Sequence, residues 1–136
     1  MPARSLLDSN VLVYTDDADS RRKQARALEL YAEVRGAGTG VVSTQVLDEY
    51  FVAATRKLGV PAATARRKVE LFARLHVVVI DSGDILAAID LHRLHQFSFW
   101  DALVIRAAQR AGCSVLYSED MQDGRSIDGV TVRNPF

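Results

Sequence analysis

Short runs of aliphatic and β-branched residues alternate with longer amphipathic stretches from one end of this chain to the other, and few folds satisfy that pattern. The short runs are Ser5-Leu6-Leu7, Val41-Val42, His76 to Ile80, Val115-Leu116-Tyr117 and Val130 to Val132. Between them lie segments with helical spacing and recognisable ends. Strands that alternate with helices imply a parallel sheet covered on both faces, an α/β fold. A chain of 136 residues has room for one such domain with one substantial core, so residues 1–136 read as a single unit.

The helical segments can be placed by their caps. Asp8 or Ser9 starts a short helix through Tyr14, and an acidic turn follows at Asp17 to Asp19. The next helix runs from about Ser20 to Val34, with Ala27, Leu28, Leu30, Tyr31 and Val34 inward, and Gly36, Gly38 and Gly40 stop it. Ser43 or Thr44 caps a helix to about Leu58, ended by Gly59. Pro61 suits the first turn of another, which turns Val69, Phe72 and Ala73 inward. Asp81 or Ser82 caps a helix to about His95, and Ser98 caps the last, to Ala111 and Gly112. The run Val77 to Ile80 reads as a buried strand and is far too short to cross a membrane.

Composition weighs against simple electrostatic nucleic-acid binding without excluding it. Net charge is zero, so no bulk polycation signature marks a nucleic-acid binder. One cysteine, Cys113, forbids an intrachain disulfide and fits a reducing cytoplasm; it precedes a strand and reads as core. The first residues lack the apolar centre of a signal peptide.

Four acids stand where elements begin or end, each beside apolar residues: Asp8, Glu49, Asp101 and Asp120. A carboxylate against a core is costly unless something compensates it, and an oxygen-seeking divalent cation compensates several at once. Asp8 and Asp120 immediately follow strands, and in an open parallel sheet the strand carboxyl ends line the ligand crevice. Glu49 and Asp101 lie in early turns of helices that start near that rim. Residues far apart in sequence can therefore converge, and the pattern points to metal-assisted phosphodiester chemistry. If these four of the 17 acids face a metal, 13 remain against 17 basic residues, and the rest of the surface is mildly basic.

Each signal has a structural reading too. Asp8 fits a helix N-cap. Ser98-x-x-Asp101 fits a capping box, yet Asp101 lies at the border of an apolar face with no cation three or four residues on. Asp48 and Glu49 both fall outside the apolar face of their helix, so periodicity does not choose between them. Asp120 shares a polar loop with Glu119 and Asp123. His92 and His95 have a zinc-compatible spacing but no third ligand. Trp100 reads as a packing residue. Arg21-Arg22-Lys23 and Arg66-Arg67-Lys68 read as solvated faces able to hold RNA phosphates if they flank the crevice.

Taken in order, these motifs resemble the PIN domain, in particular the small ribonuclease toxins of the VapC type. The resemblance rests on Leu7-Asp8-Ser9-Asn10, on Glu49, on Phe99-Trp100-Asp101-Ala102-Leu103, on Leu116-Tyr117-Ser118-Glu119-Asp120, and on the closing Val130 to Phe136. It covers the whole chain. It implies a three-layer α/β/α fold around a five-stranded parallel sheet in the order 3-2-1-4-5. It assigns an acidic pocket to Asp8, Glu49, Asp101 and Asp120, and so selects Glu49 over Asp48. Asn10 and Ser118 support that pocket, Ser118 standing where threonine is more usual.

The activity implied is hydrolysis of RNA phosphodiester bonds with Mg2+ or Mn2+. Asp8 and Asp101 would touch the ion directly, with Glu49 and Asp120 acting through water or on a second ion. The resemblance also implies a homodimer, with Tyr50, Phe51 or Phe72 near the contact, and a cognate antitoxin that places a basic side chain among the acids. Two other readings are a non-catalytic RNA-binding module of the same fold and a receiver-like signalling domain. The second expects a lysine after the fifth strand, and no lysine occurs beyond Lys68.

Overall fold

The computed structural model describes residues 3–136. Strand β1 (Arg4–Leu7) leads into helix α1 (Ser9–Tyr14) and α2 (Arg21–Ala37). Strand β2 (Gly40–Ser43) is followed by α3 (Thr44–Lys57) and α4 (Ala62–Phe72). Strand β3 (His76–Val78) precedes α5 (Ser82–His95) and α6 (Phe99–Arg110). Strands β4 (Cys113–Tyr117), β5 (Ser126–Ile127) and β6 (Val130–Arg133) complete the chain.

The sheet has the order β3-β2-β1-β4-β6-β5. The first five members are parallel to one another, and β5 joins β6 antiparallel. The five expected strands are therefore present in the expected order, and a sixth is added at the edge. The addition is a two-residue hairpin through Asp128 and Gly129, both at positive φ, a turn that Asp-Gly favours. Its strand is too short to leave an alternating pattern in the sequence.

Strand order reverses between β1 and β4. Right-handed crossovers then place α1 to α4 on one face and α5 and α6 on the other. The packing agrees: α3 lies against α1, α4 and β2, while α6 lies against α5, β2, β4 and β6. The core between these layers is built from Leu6, Leu7, Val41, Val42, Ile105 and Leu116, all 0% exposed.

Several sequence expectations are corrected. Leu28 is 46% exposed, because α2 turns only Ala27, Leu30 and Val34 fully inward. Ala73 is exposed, and Leu75 is buried in its place. Gly36 lies within α2; Gly38, at φ 70°, caps it, and Gly40 opens β2. The run from Val77 is not a buried strand: β3 is a sheet edge, ends at Val78, and leaves Val79 62% exposed. Tyr50 and Phe72, expected near a subunit contact, are core residues at 0% and 1% exposure. Trp100, expected to pack inside, is 62% exposed.

Candidate active site

The reversal between β1 and β4 opens the crevice where ligands of parallel sheets bind. In the parallel register Leu6 pairs with Leu116 and Leu7 with Tyr117, so Asp8 and Ser118 come next to each other at the strand ends. Asp8 is 6% exposed. It does serve as the N-cap of α1: its Oδ1 accepts the Ser9 N–H at 2.8 Å. Its Oδ2 accepts the hydroxyl of the fully buried Ser118 at 2.8 Å and Asn10 Nδ2 at 3.3 Å. Capping and a site role are not alternatives here, since Oδ1 takes the cap hydrogen bond from Ser9 while Oδ2 is oriented separately by Ser118 and Asn10.

Asn10 joins the two sides of the crevice. Its Nδ2 also donates to Ser118 Oγ at 3.3 Å and to Asp120 Oδ2 at 3.2 Å, and its Oδ1 accepts the Glu119 N–H at 3.1 Å. The Asp120 N–H donates back to Ser118 Oγ at 3.2 Å. One amide thus fixes the loop after β4 relative to β1.

Glu49 is brought in by α3, which Ser43 caps through the Val46 N–H at 3.2 Å. Asp101 is brought in by the first turn of α6, which Ser98 caps through the Asp101 N–H at 3.1 Å. No reciprocal bond from the Asp101 carboxylate to the Ser98 N–H forms. The complete capping box belongs to α5, between Asp81 and Asp84.

The four acids feel one another. Burial raises Asp8 above the usual carboxylate range, opposed by the Ser118 and Ser9 hydrogen bonds and reinforced by the charges of Asp120 and Asp101. Burial also raises Asp101, the Ser98 bond opposes it, and Asp120 adds to it. Desolvation, then the charge of Asp8, pushes Glu49 up to about 7, opposed by the Gln45 side chain, with Asp101 and Asp120 contributing. Glu49 is exposed, so water moderates the desolvation part and the repulsion remains. Among the described residues, no ion pair engages any of the four.

An all-oxygen donor set with uncompensated negative charge fits a hard divalent cation. Among the described residues, no three His, Cys, Asp or Glu side chains are close enough to grip an ion on their own.

The walls contain residues that sequence patterns did not mark. A cleft of about 310 Å³ beside Asn10 and Asp120 is lined by Tyr14, Lys57 and Glu119. Lys23 and Glu119 form an ion pair at 2.6 Å, and Tyr14 donates to Glu119 at 2.8 Å. The pair holds the Glu119 carboxyl below its usual range despite burial. Lys68 bonds Asp16 and Thr15 at 3.0 and 2.9 Å, so Lys23 and Lys68 are engaged rather than free for phosphates. Asp123 accepts the Asn134 N–H at 2.9 Å. A larger, apolar cavity of about 670 Å³ lies between α3 and α4, lined by Leu47, Phe51, Val52, Ala62, Ala63 and Val69 among others, and it includes none of the four acids.

The solved VapC20 of Mycobacterium tuberculosis, described as a sarcin-ricin loop cleaving toxin, is 21% identical with a TM-score of 0.71, covering 85% of this chain and 89% of its own. A toxin–antitoxin complex from Klebsiella pneumoniae is 18% identical with a TM-score of 0.68, over 97% of this chain and 98% of that one. VapBC2 from Rickettsia felis, solved on a DNA fragment from its promoter, is 19% identical with a TM-score of 0.63, over 96% and 97%. Identities this low establish likeness of fold. No curated protein sequence matches. The PIN domain profile matches residues 5–123, a span that contains all four acids, and the chain therefore belongs to the PIN domain family.

Proposed function

We propose that this chain hydrolyses RNA phosphodiester bonds with Mg2+ or Mn2+, as the toxin of a toxin–antitoxin pair. The observation that carries this reading is the convergence of four unpaired carboxylates at the sheet reversal of a PIN domain. The likeness in fold to VapC20 and to two toxin–antitoxin complexes supports the toxin assignment.

Asp8 and Asp101 would hold the cation, with Glu49 and Asp120 acting through water or on a second ion. When bound, the cation neutralises phosphate charge and lowers the pKa of water. Ser9, Asn10 and Ser118 fix both Asp8 oxygens, so the ligand does not have to be ordered during reaction. Asn10 holds Asp120 in the same frame.

Two partners follow. The chain pairs with a second copy through the exposed apolar stripe of α5, Ile85, Leu86 and Ile89, at 41%, 64% and 39% exposure. An antitoxin segment lays an apolar face in the α3–α4 cavity and sends a basic side chain to the acids. No helix among the described residues is long and apolar enough to cross a membrane. Cys113 is buried, its thiol pushed up to about 11 by burial, so it is an unreactive core residue.

The deciding experiment incubates purified protein with RNA in magnesium, manganese or chelator, with and without the product of any adjacent small reading frame. Metal-dependent cleavage, blocked by that product, is expected. Tight RNA binding with no cleavage under any metal would indicate the non-catalytic binding module instead.

A further inference from the structure

One ion pair reaches the acidic crevice from a helix that contributes no acid to it. Lys23 of α2 bonds Glu119 Oε2 at 2.6 Å, and Tyr14 of α1 donates to Glu119 Oε1 at 2.8 Å. Both carboxylate oxygens are therefore held, and the Lys23 ammonium also lies 3.3 Å from the Tyr14 hydroxyl. The Phe136 ring braces Tyr14 edge to face, with centroids 4.8 Å apart. Arg22 and Arg26, from the same helix as Lys23, hold that segment by donating to the Phe136 and Pro135 carbonyls at 3.0 and 3.1 Å.

Glu119 is tied to the site by its backbone as well. Its N–H donates to Asn10 Oδ1 at 3.1 Å. An amide oxygen accepts and its nitrogen donates, so this bond decides which way Asn10 faces. With Oδ1 taken, Nδ2 is turned to Asp8 Oδ2 at 3.3 Å and to Asp120 Oδ2 at 3.2 Å. Were Glu119 to shift, the amide would be free to reverse and put its oxygen against two carboxylates. Glu119 also shares the wall of one cleft with Asp120. Without Lys23 its carboxylate would add a further uncompensated charge to a crowded set.

We infer that Lys23 is a positioning residue for the cation site: by holding Glu119 it fixes the Asn10 amide, and through that amide the oxygens of Asp8 and Asp120. This rests on the cation-binding reading above. It gives Lys23 a different role from the phosphate contact that the run Arg21-Arg22-Lys23 suggests. Lys23 acts on metal affinity and on kcat, and not on the grip on RNA.

The test measures manganese affinity in the absence of RNA, from the electron paramagnetic resonance of the free ion, beside steady-state cleavage kinetics. Wild type, Lys23→Met and Lys23→Arg are compared, with folding checked by circular dichroism. The pair is partly hydrated, with side chains 31% and 24% exposed, so Lys23→Met should fold. It should weaken manganese binding about tenfold, the lower end of what losing a partner behind a metal ligand costs. It should lower kcat by a similar factor and leave KM for RNA and its salt dependence unchanged. Lys23→Arg keeps a cation on Glu119 and should recover most of both losses. A rise in KM with a flatter salt dependence, and with kcat and manganese affinity intact, would make Lys23 a phosphate contact and overturn the proposal. So would a Lys23→Met protein that melts earlier yet binds manganese as tightly as wild type, because Lys23 would then serve stability alone. Wild type that binds no manganese overturns the proposal together with the cation site. Wild type that binds manganese and cuts no RNA sinks the nuclease reading only, and weaker binding by Lys23→Met would still uphold the positioning role.

Discussion

Asp101 sits in the first turn of α6, half-buried, with its backbone on the Ser98 cap and its carboxyl repelled by Asp120. Replacing it with asparagine removes one of several crowded charges and keeps the backbone cap. Asp101→Asn is expected to stabilise the metal-free protein by about 1 kcal/mol, or about 4 °C in melting temperature. It should also abolish most of the stabilisation that manganese gives wild type. A less stable variant with an undiminished metal shift would reduce Asp101 to a helix-capping residue. The same crowding sets a pH dependence. Asp8, Glu49 and Asp101 are raised when folded, Glu49 to about 7, whereas unfolded carboxyls titrate near pH 4. Between those values the folded chain binds more protons than the unfolded one, so metal-free stability falls as pH rises. Melts from pH 5 to 7 in chelator should decline, and Glu49→Gln should flatten the decline. With metal present the sign reverses, because rising pH frees the ligands. A metal-free melting temperature that rises across this window would show that the acids are not crowded.

Helices α5 and α6 are tied by a carboxylate with no part in the candidate site. Asp84 is 1% exposed; Arg106 Nε donates to it at 3.1 Å and Arg110 Nη1 at 2.6 Å, while it closes the α5 capping box with Asp81. Burial alone would raise it, but the Asp81 N–H and the two arginines outweigh burial and hold it below its usual range. Its contribution is lost only as pH falls through that lowered value. Asp84→Ala should cost about 2–3 kcal/mol, combining a lost cap with Arg106 stripped of its carboxylate and Arg110 left with Asp81 at 3.7 Å and the Val79 carbonyl. Chemical denaturation measures it, and a loss under 0.5 kcal/mol, about what a featureless surface site gives, would contradict this account. This link spans 22 and 26 residues, and neither the charge pattern nor the wheel of α6 revealed it. What the sequence did reveal was local. Ser98 was legible as a cap by itself, while Asp8 or Ser9, Ser43 or Thr44 and Asp81 or Ser82 were narrowed to pairs, and the structure uses the first of each pair. The period of α2 marked Leu30 and Val34 correctly but could not tell that Leu28 faces water. An edge strand and a central strand share the same aliphatic composition, so the exposure of Val79 was invisible until β3 had a place in the sheet.

At the scale of the whole molecule, burial separates residues that periodicity had grouped. Tyr50 donates to Asp16 from inside the core, and Phe72 packs on Tyr31 and Tyr50, so neither is free for a partner. The apolar stripe of α5 is free, and a central arginine there should split a dimer without unfolding the chain. Leu86→Arg is expected to convert dimer to monomer in light scattering while shifting the melt by under 1 kcal/mol, since Leu86 is 64% exposed. Persistence of the dimer would place the contact elsewhere. The convergence of Asp8, Glu49, Asp101 and Asp120 likewise exists only once the sheet reverses between β1 and β4, yet each acid could be named beforehand. The direct test of the account compares RNA cleavage by wild type, Asp8→Asn and Asp101→Asn in magnesium or manganese, with folding checked by circular dichroism. Wild type should cut and stop in chelator, and each variant should lose at least a hundredfold in rate while remaining folded, the scale on which losing metal ligation or a key electrostatic group acts. Folded variants that cut RNA at the wild-type rate would contradict the assigned site.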